Sequence, residues 1–270
     1  MSSNVRFEFT KDNIDLYLKE LSKEYRKLGG KNMPAELILI GGASVLINYG
    51  FRDMTTDIDA MIHAASSMKD AINRVGDRFG LPTGWLNADF KRTDSYTPKL
   101  SEFSVYYKTF SNVLRVRTVS AEYLVAMKLR SGRQYKSDLS DVLGILAEHE
   151  KRGTPITLDQ IRKAVTDLYG DWTALPEASR SFLQNVMDDG KYDQLYEETA
   201  QGEHETKKLL VRFEQDYPGV ATMENVNDIA GNLQKSSSKA SILEQLRRPI
   251  PKREDPELTP KPKRKRDLER

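Results

Sequence analysis

Cysteine is absent from all 270 residues, so the chain holds no disulfide, no thiolate-bound zinc or iron–sulfur cluster and no cysteine nucleophile. A reducing cytoplasm is the compartment that this absence leads us to expect. Histidine is scarce as well. His63, His149 and His204 lie far apart and none forms an H-x-x-x-H pair, which argues against a histidine-rich metal centre. Long apolar runs are missing: no window approaches the ~18 residues needed to span a bilayer, and MSSNVRFEFTKDNIDLYLKE at the N-terminus lacks the apolar stretch of a signal peptide. Neither secretion nor a membrane partner is expected. Catalysis, if any, must rest on carboxylates, lysine, arginine or serine.

What is present is a soluble globular composition, 38% hydrophobic and 30% charged with a mean hydropathy of -0.61, long enough to bury a core without staples. The net charge of +2 conceals an asymmetry. Arg247 to Arg270 carries ten basic and five acidic residues, whereas residues 1–246 carry 32 basic against 35 acidic. Five of the eleven prolines lie in that tail, where they remove backbone donors and break helices. Residues 234–270 therefore read as a disordered Pro/Lys/Arg-rich tail. Its KPKRKR end suits RNA or simple solubilisation equally well.

Hydrophobic spacing organises the remainder. Ile14, Leu18, Leu21, Tyr25 and Leu28 recur at steps of three and four, which predicts a helix over 11–28 closed by Gly29-Gly30. ELILIGG reads as a short buried strand, ASVLINYG as a helix packed on it, and TTDIDAMIH, alternating with period two, as a second strand with Asp57 and Asp59 on one face. A helix over 67–79 and a long connection from Gly80 to Pro98 follow. FSVYYKTF and VLRVRTVS flank Ser111-Asn112 as a hairpin. From Ser120 the pattern is helical: Tyr123 to Leu129, then Leu139 to Leu146, then Thr157 to Leu168, with a helical remainder to about Arg212. We thus expect 1–150 to be mixed α/β and 151–233 to be all-helical.

Two carboxylates two residues apart on a strand point the same way and can share a divalent cation; an oxygen-only site suits Mg²⁺, which keeps waters and takes phosphate oxygens. Gly41-Gly42-Ala43-Ser44 lies at a strand-to-helix junction, where small residues let a phosphate approach free backbone N–H groups. Together these describe metal-assisted phosphoryl transfer. Taken alone, a Gly-Gly pair is more often an ordinary turn and an Asp-x-Asp more often a solvated strand face or loop.

GGASVLINYGFRDMTTDIDAMI resembles the first block of the minimal nucleotidyltransferase superfamily, whose polymerase-β-like core runs strand, Gly-Gly/Ser turn, helix and a strand bearing Asp-x-Asp. Arg52, Thr55 or Thr56, Asp57 and Asp59 resemble the Arg-x-x-Thr-x-Asp-x-Asp string of AbiEii-type and MenT-type toxin nucleotidyltransferases. EYLVAMKLRSGRQYKSDLSDVLGIL is similar to a second block of that group. The resemblance, over residues 36–147, implies an α+β fold, with a small mixed sheet flanked by helices and followed by the all-helical part. It implies that Asp57 and Asp59 hold Mg²⁺ (or Mn²⁺) against an NTP, while Gly41, Gly42 and Ser44, with Arg52 and Thr56, cradle its phosphates. Lys128 would neutralise triphosphate charge, Asp138 and Asp141 would orient Lys128 or the incoming group, and Arg133 would contact the nucleotide or pair with Asp138. Lys128 could instead snorkel to solvent, and without the resemblance Asp138 and Asp141 could as well be helix N-terminal charges.

The resemblance further implies a toxin-like member of a bacterial toxin–antitoxin or phage-defence pair, with tRNA or protein as acceptor and a cognate antitoxin as partner. In one respect the sequence departs from the superfamily. Arg115 and Arg117 occupy the strand where many members carry a third catalytic carboxylate, and Glu102, near the preceding strand, is the candidate substitute. A relative that binds nucleotide or RNA without catalysis, or a regulatory interaction protein, is the alternative reading.

Overall fold

The computed structural model describes residues 7–133, 135–222 and 225–247, with side chains to Ser236. Thr10 opens α1 (Lys11–Tyr25) through a capping box in which its hydroxyl accepts from the Asn13 N–H and the Asn13 side chain accepts from the Thr10 N–H. The helix buries Ile14, Leu18, Leu21 and Tyr25, and a wide turn over Arg26–Gly30 ends it at the glycine pair. Next come β1 (Ala35–Leu39), α2 (Gly41–Asn48), β2 (Ile58–His63) and α3 (Ser67–Phe79). The Gly80–Pro98 connection, expected to lack strands, contains β3 (Leu86–Asn87), which pairs Leu86 and Asn87 with Ile58 and Asp59. Two residues are too few to show periodicity, so this strand exists through its neighbour.

β4 (Ser104–Phe110) and β5 (Leu114–Val119) form the expected antiparallel hairpin. Ser111 and Asn112 both have positive φ, 50° and 56°, the conformation of a tight two-residue hairpin turn. The sheet order is β3-β2-β1-β5-β4, with β1 antiparallel to β2 and parallel to β5. It is a mixed sheet in an α+β fold, as the sequence suggests.

Alternation divides the sheet between two layers. Leu37, Leu39, Ala60 and Val116 pack with α1 and α3 on one face. Ile38, Ile40 and Met61 pack on the other, against α4 (Ala121–Ser131) and α5 (Asp138–Lys151). Asp59 pairs across from Ile40, whose N–H donates to the Asp59 carbonyl, so its carboxylate lies on the α4–α5 side. The helical part is α6 (Leu158–Tyr169), α7 (Glu177–Asp189), α8 (Tyr192–Asp216) and α9 (Val226–Arg247), with Ile161, Leu168 and Leu183 in the same core as Leu124 and Leu143. The irregular tail expected from Gln234 does not start there, because α9 runs to Arg247; residues 248–270, where the rest of that expectation falls, lie outside the described residues.

Candidate active site

A cavity of about 410 Å³ opens where α2, β2, the α4–α5 junction and α8 meet. Its floor begins at Gly41, whose φ of +56° lies in the left-handed region. α2 starts there without a side-chain cap, leaving first-turn N–H groups and the positive end of the helix directed at the cavity. A Cβ on Gly42 would stand 2.7 Å from Thr55 Oγ1 and 3.0 Å from Arg52 Nη2, so only hydrogen fits. Thr55 is buried and tied by its backbone to Phe9, while Arg52 is bonded to the Met54 carbonyl and to Asp141, so neither yields freely. Gly42→Ala should therefore cost about 1–3 kcal/mol, read as a lower unfolding midpoint; an unchanged midpoint would show that the contact is not tight. Ser44 is fully buried, its hydroxyl has no hydrogen-bond partner among the described residues, and it is not on the cavity wall.

Asp57 and Asp59, with Thr55 and Thr56, line the wall that adjoins this floor. Burial, then the neighbouring Asp57 charge, pushes the Asp59 carboxyl up to about 6. Two crowded carboxylates beside a helix N-terminus fit a hard divalent cation, which would relieve their repulsion. Among the described residues no group of three or more His, Cys, Asp or Glu could hold a metal. The donor set is therefore two carboxylates that need further oxygens from phosphates and water.

The third wall is a buried ion cluster. Lys128 is 5% exposed, and its Nζ lies 2.8 Å from Asp138 Oδ1 and 2.7 Å from Asp141 Oδ2. Arg52 Nη1 reaches Asp141 at 2.5 Å and Arg133 Nε reaches Asp138 at 2.7 Å. Three cations thus share two carboxylates, leaving excess positive charge on the cavity that Asp57 and Asp59 also line. Burial opposes the Lys128 charge, but Asp138 and Asp141 outweigh it and raise its pKa. Burial likewise opposes the Asp138 charge, and Lys128 and Arg133 hold that carboxyl far below its usual range. Lys128 does not snorkel.

The fourth wall comes from α8, which presents Ala200, Glu203, His204 and Lys207. Glu203 is buried and accepts from the Leu139 N–H at 2.9 Å, the Ser140 N–H at 3.4 Å and Ser140 Oγ at 2.5 Å. Burial pushes its carboxyl up to about 7 despite these bonds. Between about 4.5 and about 7 the unfolded chain loses this proton while the folded chain keeps it, so Glu203 lowers stability as pH rises through that window. The midpoint of the wild type minus that of Glu203→Gln should fall across this window and level off above it; a pH-independent difference would contradict the assignment.

Of the residues singled out in the sequence, Gly41, Gly42, Arg52, Thr56, Asp57, Asp59, Lys128, Arg133 and Asp138 meet on this cavity, and Asp141 stands directly behind Lys128 and Arg52. Arg115, Arg117 and Glu102 do not line it. Arg117 instead donates to the Ser104 carbonyl and stands 3.8 Å from Glu36. Glu203, His204, Lys207, Tyr135 and Lys136 were not anticipated. For α8 the available signal was spacing: Tyr196, Ala200, Glu203 and Lys207 recur at steps of four and three on one helical face.

A family described as "Nucleotidyltransferase of unknown function (DUF6036)" matches residues 17–152, half of the chain. No curated protein and no solved structure matches it.

Proposed function

The chain belongs to this nucleotidyltransferase family, and from that premise we propose that the cavity moves a nucleoside monophosphate from an NTP to an acceptor hydroxyl. The observation that carries the reading is that the Asp57–Asp59 pair and the cationic cluster around Lys128 line one cavity. Asp57 and Asp59 would hold Mg²⁺, which when bound supplies charge neutralisation to the triphosphate. The N–H groups at Gly41 and Gly42 bind the phosphate oxygens, and the bare Cα of Gly42 permits that approach. Lys128, pinned by Asp138 and Asp141, keeps its charge fixed near the phosphates, and Arg52 and Arg133 add to it. An acceptor hydroxyl attacks the α-phosphorus, the bond to the β-phosphate oxygen breaks and pyrophosphate leaves. Positioning and fixed charge supply the rate enhancement.

The likeness of the Arg52–Asp59 string to toxin nucleotidyltransferases supports a toxin-like role, with tRNA or protein as acceptor and an antitoxin as partner. No helix among the described residues is long and apolar enough to cross a membrane. The test is incubation of the full-length protein with each α-labelled nucleotide, Mg²⁺ and either total RNA or cell extract. Label on one class of macromolecule supports transfer and identifies the acceptor class. A second reading, a relative that binds without catalysis, is favoured by β5, which brings no carboxylate to the cavity. It predicts nucleotide binding without label transfer in the same experiment.

A further inference from the structure

α8 lies outside the segment that the family match covers, yet it forms one wall of the cavity. Two of its contacts fall on the segments that carry the cationic cluster. The Tyr196 hydroxyl donates to the Phe51 carbonyl at 3.0 Å, and the two rings meet edge to face at 5.5 Å, next to Arg52. Two turns on, Glu203 accepts from both N–H groups that follow Asp138 and from the Ser140 hydroxyl.

The second contact answers a local shortage. α5 starts at Asp138, and its N-cap residue, Ser137, makes no side-chain cap. The acids of its first turn, Asp138 and Asp141, could serve the helix start, but their carboxylates are taken by Lys128, Arg133 and Arg52. The N–H groups of this buried turn need an acceptor. Glu203 supplies it from a helix more than sixty residues away in sequence.

We infer that Glu203 is a positioning residue for nucleotide binding and transfer: it fixes the first turn of α5, and through Asp138 and Asp141 it holds Lys128 in place on the cavity wall. The inference rests on the proposed function. It assigns to the helical part a share of the site that the family-matched segment cannot complete alone.

Because Glu203 acts through Lys128, the two substitutions are not additive. The test titrates full-length protein with each of the four Mg²⁺-bound NTPs, for wild type, Glu203→Ala, Lys128→Ala and the double variant. Glu203→Ala should weaken binding of the preferred nucleotide by tenfold or more in the wild-type background and by less than about twofold in the Lys128→Ala background. Glu203→Gln, which keeps one acceptor oxygen, should recover most of the loss. Equal losses in both backgrounds, or a folded Glu203→Ala protein that binds like the wild type, would overturn the inference. Should Glu203→Ala not fold, Glu203→Gln carries the cycle, with a loss of about threefold expected in the wild-type background alone. A wild type that binds nucleotide but transfers no label removes the transfer reading and leaves this cycle decisive. A wild type that binds no nucleotide removes both.

Discussion

Asp57→Asn and Asp59→Asn should each lower transfer of an α-labelled nucleotide at least roughly a hundredfold while leaving the fold intact. Asparagine keeps the size of aspartate and removes the charge that balances a divalent cation, and loss of that neutralisation is worth several kcal/mol at the transition state. The side chains line the cavity, Asp57 exposed and Asp59 half-buried, so no core packing is lost. Asp59 strengthens the separation of activity from stability. Burial and the Asp57 charge raise its pKa to about 6, so its ionised form at neutral pH disfavours the folded state. Asp59→Asn removes that repulsion, and its unfolding midpoint should equal or slightly exceed the wild type's. Full transfer by both variants would dismiss the metal-pair assignment, and a large fall in midpoint would dismiss the electrostatic account of Asp59.

Lys128→Ala should destabilise the protein by about 3–5 kcal/mol, a fall in midpoint of roughly 10 °C for a chain of this size. The reason is the geometry of its buried cluster. Asp138 is 0% and Asp141 2% exposed, and among the described residues Lys128 is the one side chain bonded to both. Its removal leaves Asp141 with Arg52 and Asp138 with Arg133, a partial compensation that sets the lower end of the range. Lys128→Arg tests the site more finely. It keeps the charge and should keep most of the stability, but a planar guanidinium cannot occupy the position of an ammonium between two carboxylates. Nucleotide affinity and transfer should fall while the midpoint stays near the wild type's. A Lys128→Ala protein with an unchanged midpoint would show that the cluster carries no structural weight.

The parts of the site legible in the sequence are those written in short local patterns. The Gly41-Gly42 pair closes an apolar run and opens a helix, and the alternation after Thr56 sets Asp57 and Asp59 on one side, so this half of the cavity follows from residues within about twenty positions of one another. The hairpin turn at Ser111-Asn112 was legible for the same reason. β3 was not, because Leu86–Asn87 is ordered by backbone pairing to β2 and has no period of its own. The environment of Lys128 was ambiguous. A lysine among Leu124, Val125 and Met127 is compatible with snorkelling, and only the approach of α5 turns its ammonium inward. Glu203 was beyond local reading altogether. It sits among other acids in EETAQGEHE, and what distinguishes it is the docking of α8 on α5, a tertiary event. The missing carboxylate on β5 was legible as an absence, and the structure adds that Arg117 is engaged by Ser104 and Glu36 away from the cavity.

The measurement that tests the central claim most directly is a paired labelling experiment: one reaction with nucleotide labelled at the α-phosphate, one with the same nucleotide labelled at the γ-phosphate, each with Mg²⁺ and the acceptor fraction. Attack at the α-phosphorus predicts α-label in the macromolecule and γ-label released as pyrophosphate, both abolished in Asp59→Asn. γ-Label in the macromolecule, or α-label that stays in free nucleotide while the wild type binds it, would contradict nucleotidyl transfer by this site.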